Sequence, residues 1–159
     1  MKLVLHLFFY CLILSIYIYS MLLTRPRLWL HRMPPAVRTR VSPRNSHETR
    51  LFLAAGIPLM LIFLFYPLVF TWLHCDSLVH IMASLLCFTL GFTLWDTVVL
   101  DLWIFCRVTP ESMVIEGTDR EDYRDTGYHI QAGIRGIALS AAYSLIAGIA
   151  IFLAKAHPG

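Results

Sequence analysis

The sequence predicts an all-α fold, a four-helix transmembrane bundle with two cytoplasmic links, in a single membrane domain over 1–159. Three observations predict it. Of the 159 residues, 58% are hydrophobic and only 14% charged, with a mean hydropathy of +0.67. That is too little charged surface for a soluble domain of this size. The apolar residues gather in four blocks, 3–23, 51–73, 78–106 and 130–154. Each reaches the roughly 20 residues that a helix needs to cross a hydrocarbon core. Eleven of the thirteen basic residues fall in or beside two of the three connections.

Each block must be helical, because lipid offers no partner to unpaired backbone groups. The first has one His and no charge. Only Lys2 precedes it, no A-x-A site ends it and arginines follow densely, so it reads as a retained anchor and not as a cleaved leader. The second, 51–73, is uncharged. Asn45 with Glu48 three residues later has the pattern of a capping box that starts its helix. Pro58 and Pro67 lie within it and predict kinks, tolerated where neighbours satisfy the freed carbonyls. The third contains Asp96 and Asp101, and the fourth contains Arg135.

Charge placement sets the orientation. Arg25, Arg27, Arg32, Arg38, Arg40, Arg44 and Arg50 belong to the link 24–50. Arg107, Arg120, Arg124 and Arg135 flank or enter the link 107–129. Lys2 and Lys155 alone remain for the other side. The positive-inside rule then makes both links cytoplasmic and puts both termini outside. The first link carries Pro26, Pro34, Pro35 and Pro43 and reads as extended and irregular. Its Trp29 and arginines suit a path along the headgroups, with membrane lipids as partners. The second carries six acids and is the segment expected to fold above the membrane. No nucleic-acid recognition motif accompanies the arginines.

In the fourth block Gly136, Ser140, Ser144 and Gly148 recur every four residues. This stripe of small side chains allows close helix approach, within the monomer or with a protein partner or second copy. Cys11, Cys75, Cys87 and Cys106 form no CxxC pair and predict no disulfide framework.

The costly residues mark where chemistry could sit. Asp96 is about 16 Å along an α-helix from Arg107, inside the hydrocarbon. An unpaired carboxylate there costs on the order of 3 kcal/mol. Asp96 and Asp101, five residues apart, diverge by roughly 140° on an α-helix, which argues against a shared-proton dyad. Arg135, at a depth comparable to Asp101, is the expected ion-pair partner. The candidate cluster is therefore Asp96, Asp101, His129 and Arg135, either a latch that sets helix register or a functional site.

Two metal patterns are weaker. Glu121, Asp125 and His129 follow an i, i+4, i+8 spacing, but a solvated amphipathic turn explains it as well. His6, His74, His80 and His157 gather with Cys75 and Asp76 toward the outer face, without any haem or metal spacing. No metal or cofactor is predicted. Gly117-Thr118 reads as a turn before it reads as a phosphate cradle.

Three stretches carry a resemblance: RPRLWLHRMPPAV (25–37), DTVVLDLWIFCRVTP (96–110) and IEGTDREDYRDTGYHIQAGIRG (115–136). Together they resemble a group of small, uncharacterised bacterial four-helix membrane proteins. There a Trp-Pro segment follows the first helix, then come D-x4-D-x-W-x-F-C and a G-T…Y…H entry to the last helix. The resemblance implies a bacterial inner membrane and draws attention to Asp96, Asp101, His129 and Gly133. It implies no activity. The membrane glutathione-transferase pattern, of similar size and pass number, is absent. No reaction motif accompanies the cluster, so the sequence favours a non-enzymatic accessory or interaction component. The alternative is a proton-linked transporter or a membrane-embedded enzyme acting on a lipid-like or anionic substrate.

Overall fold

The computed structural model describes residues 2–156. It is 86% helical with no strand among the described residues. Four helical segments are long and apolar enough to cross a membrane: Lys2–Thr24, Ser46–His74, Leu78–Val108 and Arg120–Ala156. In chain order the elements are α1 (Lys2–Thr24), a 3-10 helix (Pro26–Arg32), α2 (Pro35–Arg40), α3 (Ser46–His74) and α4 (Leu78–Trp95). Helix α4 continues as a π-helical segment (Asp96–Val108). Two short 3-10 turns, Glu111–Met113 and Arg120–Tyr123, lead to α5 (Thr126–Ala156). All four blocks read from the sequence are present, and the second and fourth are lengthened most, by the more polar stretches 46–50 and 120–129 at their starts.

Helix α4 touches each of the other three long helices and packs most closely on α5. Much of the outer surface is apolar. Leu53, Ile57, Leu61 and Phe65 of α3 are each more than half exposed, as a face solvated by acyl chains requires. Asn45 caps α3 as read: its side chain accepts from Glu48 N–H at 2.8 Å, and Glu48 accepts from Asn45 N–H at 2.9 Å.

Helix α3 runs continuously through Pro58 and Pro67. Pro67 has no N–H for the Phe63 carbonyl four residues back. The buried Tyr10 hydroxyl of α1 donates to that carbonyl at 2.9 Å. Nearby, Tyr143 of α5 donates to Leu64 O at 2.6 Å, and Tyr17 of α1 donates to Ala55 O, above Pro58, at 2.7 Å. The Tyr10 hydroxyl thus replaces the donor that Pro67 removes, and the other two tyrosines add cross-helix bonds to carbonyls near the prolines.

The first link corrects the expectation of an extended, irregular segment. Its prolines start helices instead of preventing them: Pro26 and Pro35 occupy first-turn positions, where a missing N–H costs nothing. Leu28, Leu30, Met33 and Val37 turn inward and are buried. The second link does fold, and it packs onto the first. Leu30, Met33, Val37, Phe105, Met113, Ile115 and Tyr123 form one apolar cluster. Arg40 joins the links through Asp119 and Asp122, both at 2.9 Å. Gly117, at φ 88°, makes the turn. Thr118 is spent on Ile115 O at 2.6 Å, so this pair builds a turn and not an anion cradle.

Candidate functional site at the ends of α4 and α5

The site grows out of the α4–α5 seam. The small stripe of α5 faces α4, and opposite it stand Thr89, Thr93 and Thr97, also four residues apart. Ser144 meets Thr89 at 3.5 Å and Ser140 meets Thr93 at 3.2 Å. A Cβ on Gly133 would lie 2.6 Å from Thr97 Oγ1, and one on Gly136 would lie 2.7 Å from Thr93 Cγ2. Gly148 lies against Met82 in the same way. The stripe is therefore occupied within the monomer.

One further step along each stripe reaches Asp101 and His129. His129 Nδ1 lies 3.2 Å from Asp101 Oδ1. The imidazole is 4% exposed and the carboxylate 26%. The ring packs on Phe105 at 5.3 Å between centroids and meets Tyr128 at 5.4 Å. Helix α5 begins just before it because the Asp125 carboxylate accepts from Tyr128 N–H at 2.9 Å, an end-capping contact. His129 Nε2 is buried and has no hydrogen-bond partner among the described residues.

The carboxylates differ from expectation. The 140° divergence assumed an α-helix, but the chain from Asp96 to Val108 is π-helical. Its i→i+5 bonding stacks residues five apart. Thr109 N–H, for example, donates to Ile104 O at 2.8 Å. Asp96 and Asp101 thus stand one π turn apart, and Asp96 lies within electrostatic reach of Asp101 and of Arg32. Side-chain competition for carbonyls accompanies the change of helix: the Thr93 and Thr97 hydroxyls each donate to the carbonyl four residues back, at 2.8 Å.

Arg135 is not the partner of Asp101. It is exposed, and no ion pair joins it to any described residue. Six residues beyond His129, it is turned by roughly 240° from the seam on an α-helix. A match of depth did not supply a match of face. The triplet Glu121, Asp125 and His129 also comes apart. Glu121 sits in a 3-10 turn and pairs with Arg124 at 2.7 Å, Asp125 caps α5, and only His129 enters the bundle.

At the opposite end, His6 bonds Tyr66 Oη at 2.6 Å, His74 lies on Phe70 O at 2.9 Å and His80 on Ser77 Oγ at 2.9 Å. The His6 and His74 ring centroids are 6.3 Å apart. His157 lies outside the described residues. No group of three metal-ligating side chains assembles among the described residues. All four cysteines are free. Lys155 closes this end on Asp76 at 2.8 Å, which holds the Asp76 carboxyl below its usual range.

Thr89, Thr93 and Thr97 are seam residues that the span-by-span reading overlooked. Their spacing of four, continued to Asp101, was the available signal. In the first link, burial and then Arg44, Arg32 and Arg38 push the His31 imidazole down to about 4, so it is neutral at pH 7.

The fold and site define a multi-pass membrane protein, an all-α bundle with an acid–imidazole pair at one end of its central seam. Comparison with family models, curated proteins and solved structures finds no match.

Proposed function

We propose that this chain is a multi-pass protein of a bacterial inner membrane, with both links in the cytoplasm and both termini outside. Its Asp101–His129 pair exchanges protons, in proton-linked transport or in chemistry on an anionic or lipid-like substrate. The observation that carries this reading is the unpartnered Nε2 of His129. A buried polar atom without a partner costs about 1–3 kcal/mol, a cost more often met where a proton, water or ligand engages it. His129 Nδ1 lies 3.2 Å from Asp101 Oδ1, so one ring nitrogen faces a carboxylate and the other is left unpartnered, the layout of a carboxylate-oriented imidazole. π-helical segments recur at functional sites, and this one holds both intramembrane acids. The orientation rests on the arginine distribution, and the bacterial membrane on the motif resemblance.

One observation favours the accessory reading: the pair continues a seam that is otherwise pure packing. The two readings part on substitution. Asp101→Asn, His129→Gln and the double variant are to be compared for unfolding midpoint in detergent and for cellular phenotype. Under the proposed function all three fold and all three lose the phenotype. Full restoration in the double variant, whose amides can still bond one another, would leave the pair a latch. Tags on the two termini, probed on intact cells, test the orientation.

A further inference from the structure

Two cavities follow one another along α1. An apolar groove of about 360 Å³ is lined by Ile13, Ile16, Tyr17, Ser20 and Met21. This i, i+3, i+4, i+7, i+8 series is a single helix face. Its next member is Thr24, which opens a larger cavity of about 680 Å³ where the span ends. Helix α3 borders the larger cavity through Leu51, and its Ala55 carbonyl accepts from Tyr17 of the groove.

The upper cavity has an apolar floor, including Leu28 and Ile115, and charged walls of both signs. Arg27 is held by Glu48 at 2.7 Å, and Arg40 by Asp119 and Asp122. Arg25 and Glu116 also line it, and neither has an ion-pair partner among the described residues. One free cation and one free anion thus line one cavity where the α1 helix ends, next in register to the apolar groove along α1. No aromatic side chain lines this cavity, so it lacks the cage by which quaternary ammonium groups are held.

We infer that α1 and the folded links form a binding site for a phospholipid bearing a primary ammonium. Arg25 takes the phosphate, Glu116 takes the ammonium, and one acyl chain lies in the Ile13–Met21 groove. Guanidinium and phosphate make charge-assisted bonds, and a primary ammonium donates hydrogen bonds that a trimethylated one cannot. The site goes beyond the proposed proton exchange, since Asp101 and His129 line neither cavity.

The test uses the full chain in nanodiscs or detergent, with native mass spectrometry of retained lipid. Equimolar phosphatidylethanolamine, phosphatidylcholine and phosphatidylglycerol with matched chains compete. Phosphatidylethanolamine is retained about tenfold over each of the others, the factor one charge-assisted contact supplies. Glu116→Gln brings its ratio over phosphatidylglycerol to about one, and Arg25→Gln lowers retention of phosphatidylethanolamine about tenfold. Ser20→Trp, which fills the groove, lowers retention of all three lipids. Both charged residues are exposed, so unfolding midpoints stay unchanged and report the fold separately. Equal retention of the three lipids overturns the site, as does selectivity that survives Glu116→Gln. So does chain-free glycerophosphoethanolamine competing as well as the lipid, which would make the groove irrelevant.

Discussion

From Met82 to Thr97, α4 and the first turn of its π-helical continuation offer α5 hydroxyls and clearances, and the seam is complete. Thr89 donates to Leu85 O at 3.0 Å, Ser144 to Ser140 O at 2.7 Å, and glycines fill what the hydroxyls leave. From Thr97 to Asp101 the same two helices meet on other terms: an acid, an imidazole, a π-helical backbone and a ring nitrogen without a partner. Geometry alone would have allowed another Thr–Ser step there. A satisfied seam accounts for helix pairing, so what is left unsatisfied at its end is where function should be sought.

The strongest way to break the comparison is to crowd the satisfied part. Gly136→Val drives a branched side chain into Thr93 and should cost about 3 kcal/mol, read as unfolding in detergent. Gly148→Ala should cost less than Gly136→Ala, because flexible Met82 yields where Thr93 does not. At the unsatisfied end the expectation inverts. His129→Gln should lower activity by about 10²-fold while the unfolding midpoint moves little. A midpoint falling as far as that of Gly136→Val would erase the distinction between the two halves.

Tyr10→Phe tests satisfaction elsewhere, at the Pro67 break. It leaves Phe63 O without its donor and should cost about 2 kcal/mol, visible in the same unfolding assay. The pH dependence supplies a smaller effect from the first link. His31 has its usual value of 6.5 when unfolded and about 4 when folded. The unfolded chain therefore binds this proton first as pH falls. Stability due to His31 is full above 6.5 and lost progressively toward 4. His31→Gln should flatten the loss of stability between pH 7 and pH 4.5. Smallest of all, Arg135→Gln should change stability by less than about 0.5 kcal/mol, as an exposed side chain off the seam would. A large loss would return Arg135 to the cluster.

Much of the architecture was legible because hydropathy and charge act residue by residue. The four blocks, the Asn45–Glu48 box, the small stripe of α5 and the grouping of Asp101 with His129 all follow from local chemistry. The rest was hidden for identifiable reasons. Arg135 failed because depth along a helix was matched without its azimuth. The two aspartates were placed on different sides because helical pitch was taken as constant. The first link was read through its prolines, whereas its buried leucines and Val37 decided that it folds.

By itself, the chain determined that it would be helical and lipid-solvated, since every long apolar block must satisfy its own backbone where water is absent. Only the tertiary structure decided which polar side chains meet. Pairing depends on the rotation of each helix about its axis and on the change from α to π at Asp96. The rotations follow from packing Thr against Gly and Ser across two helices, a relation between distant residues that no local pattern contains.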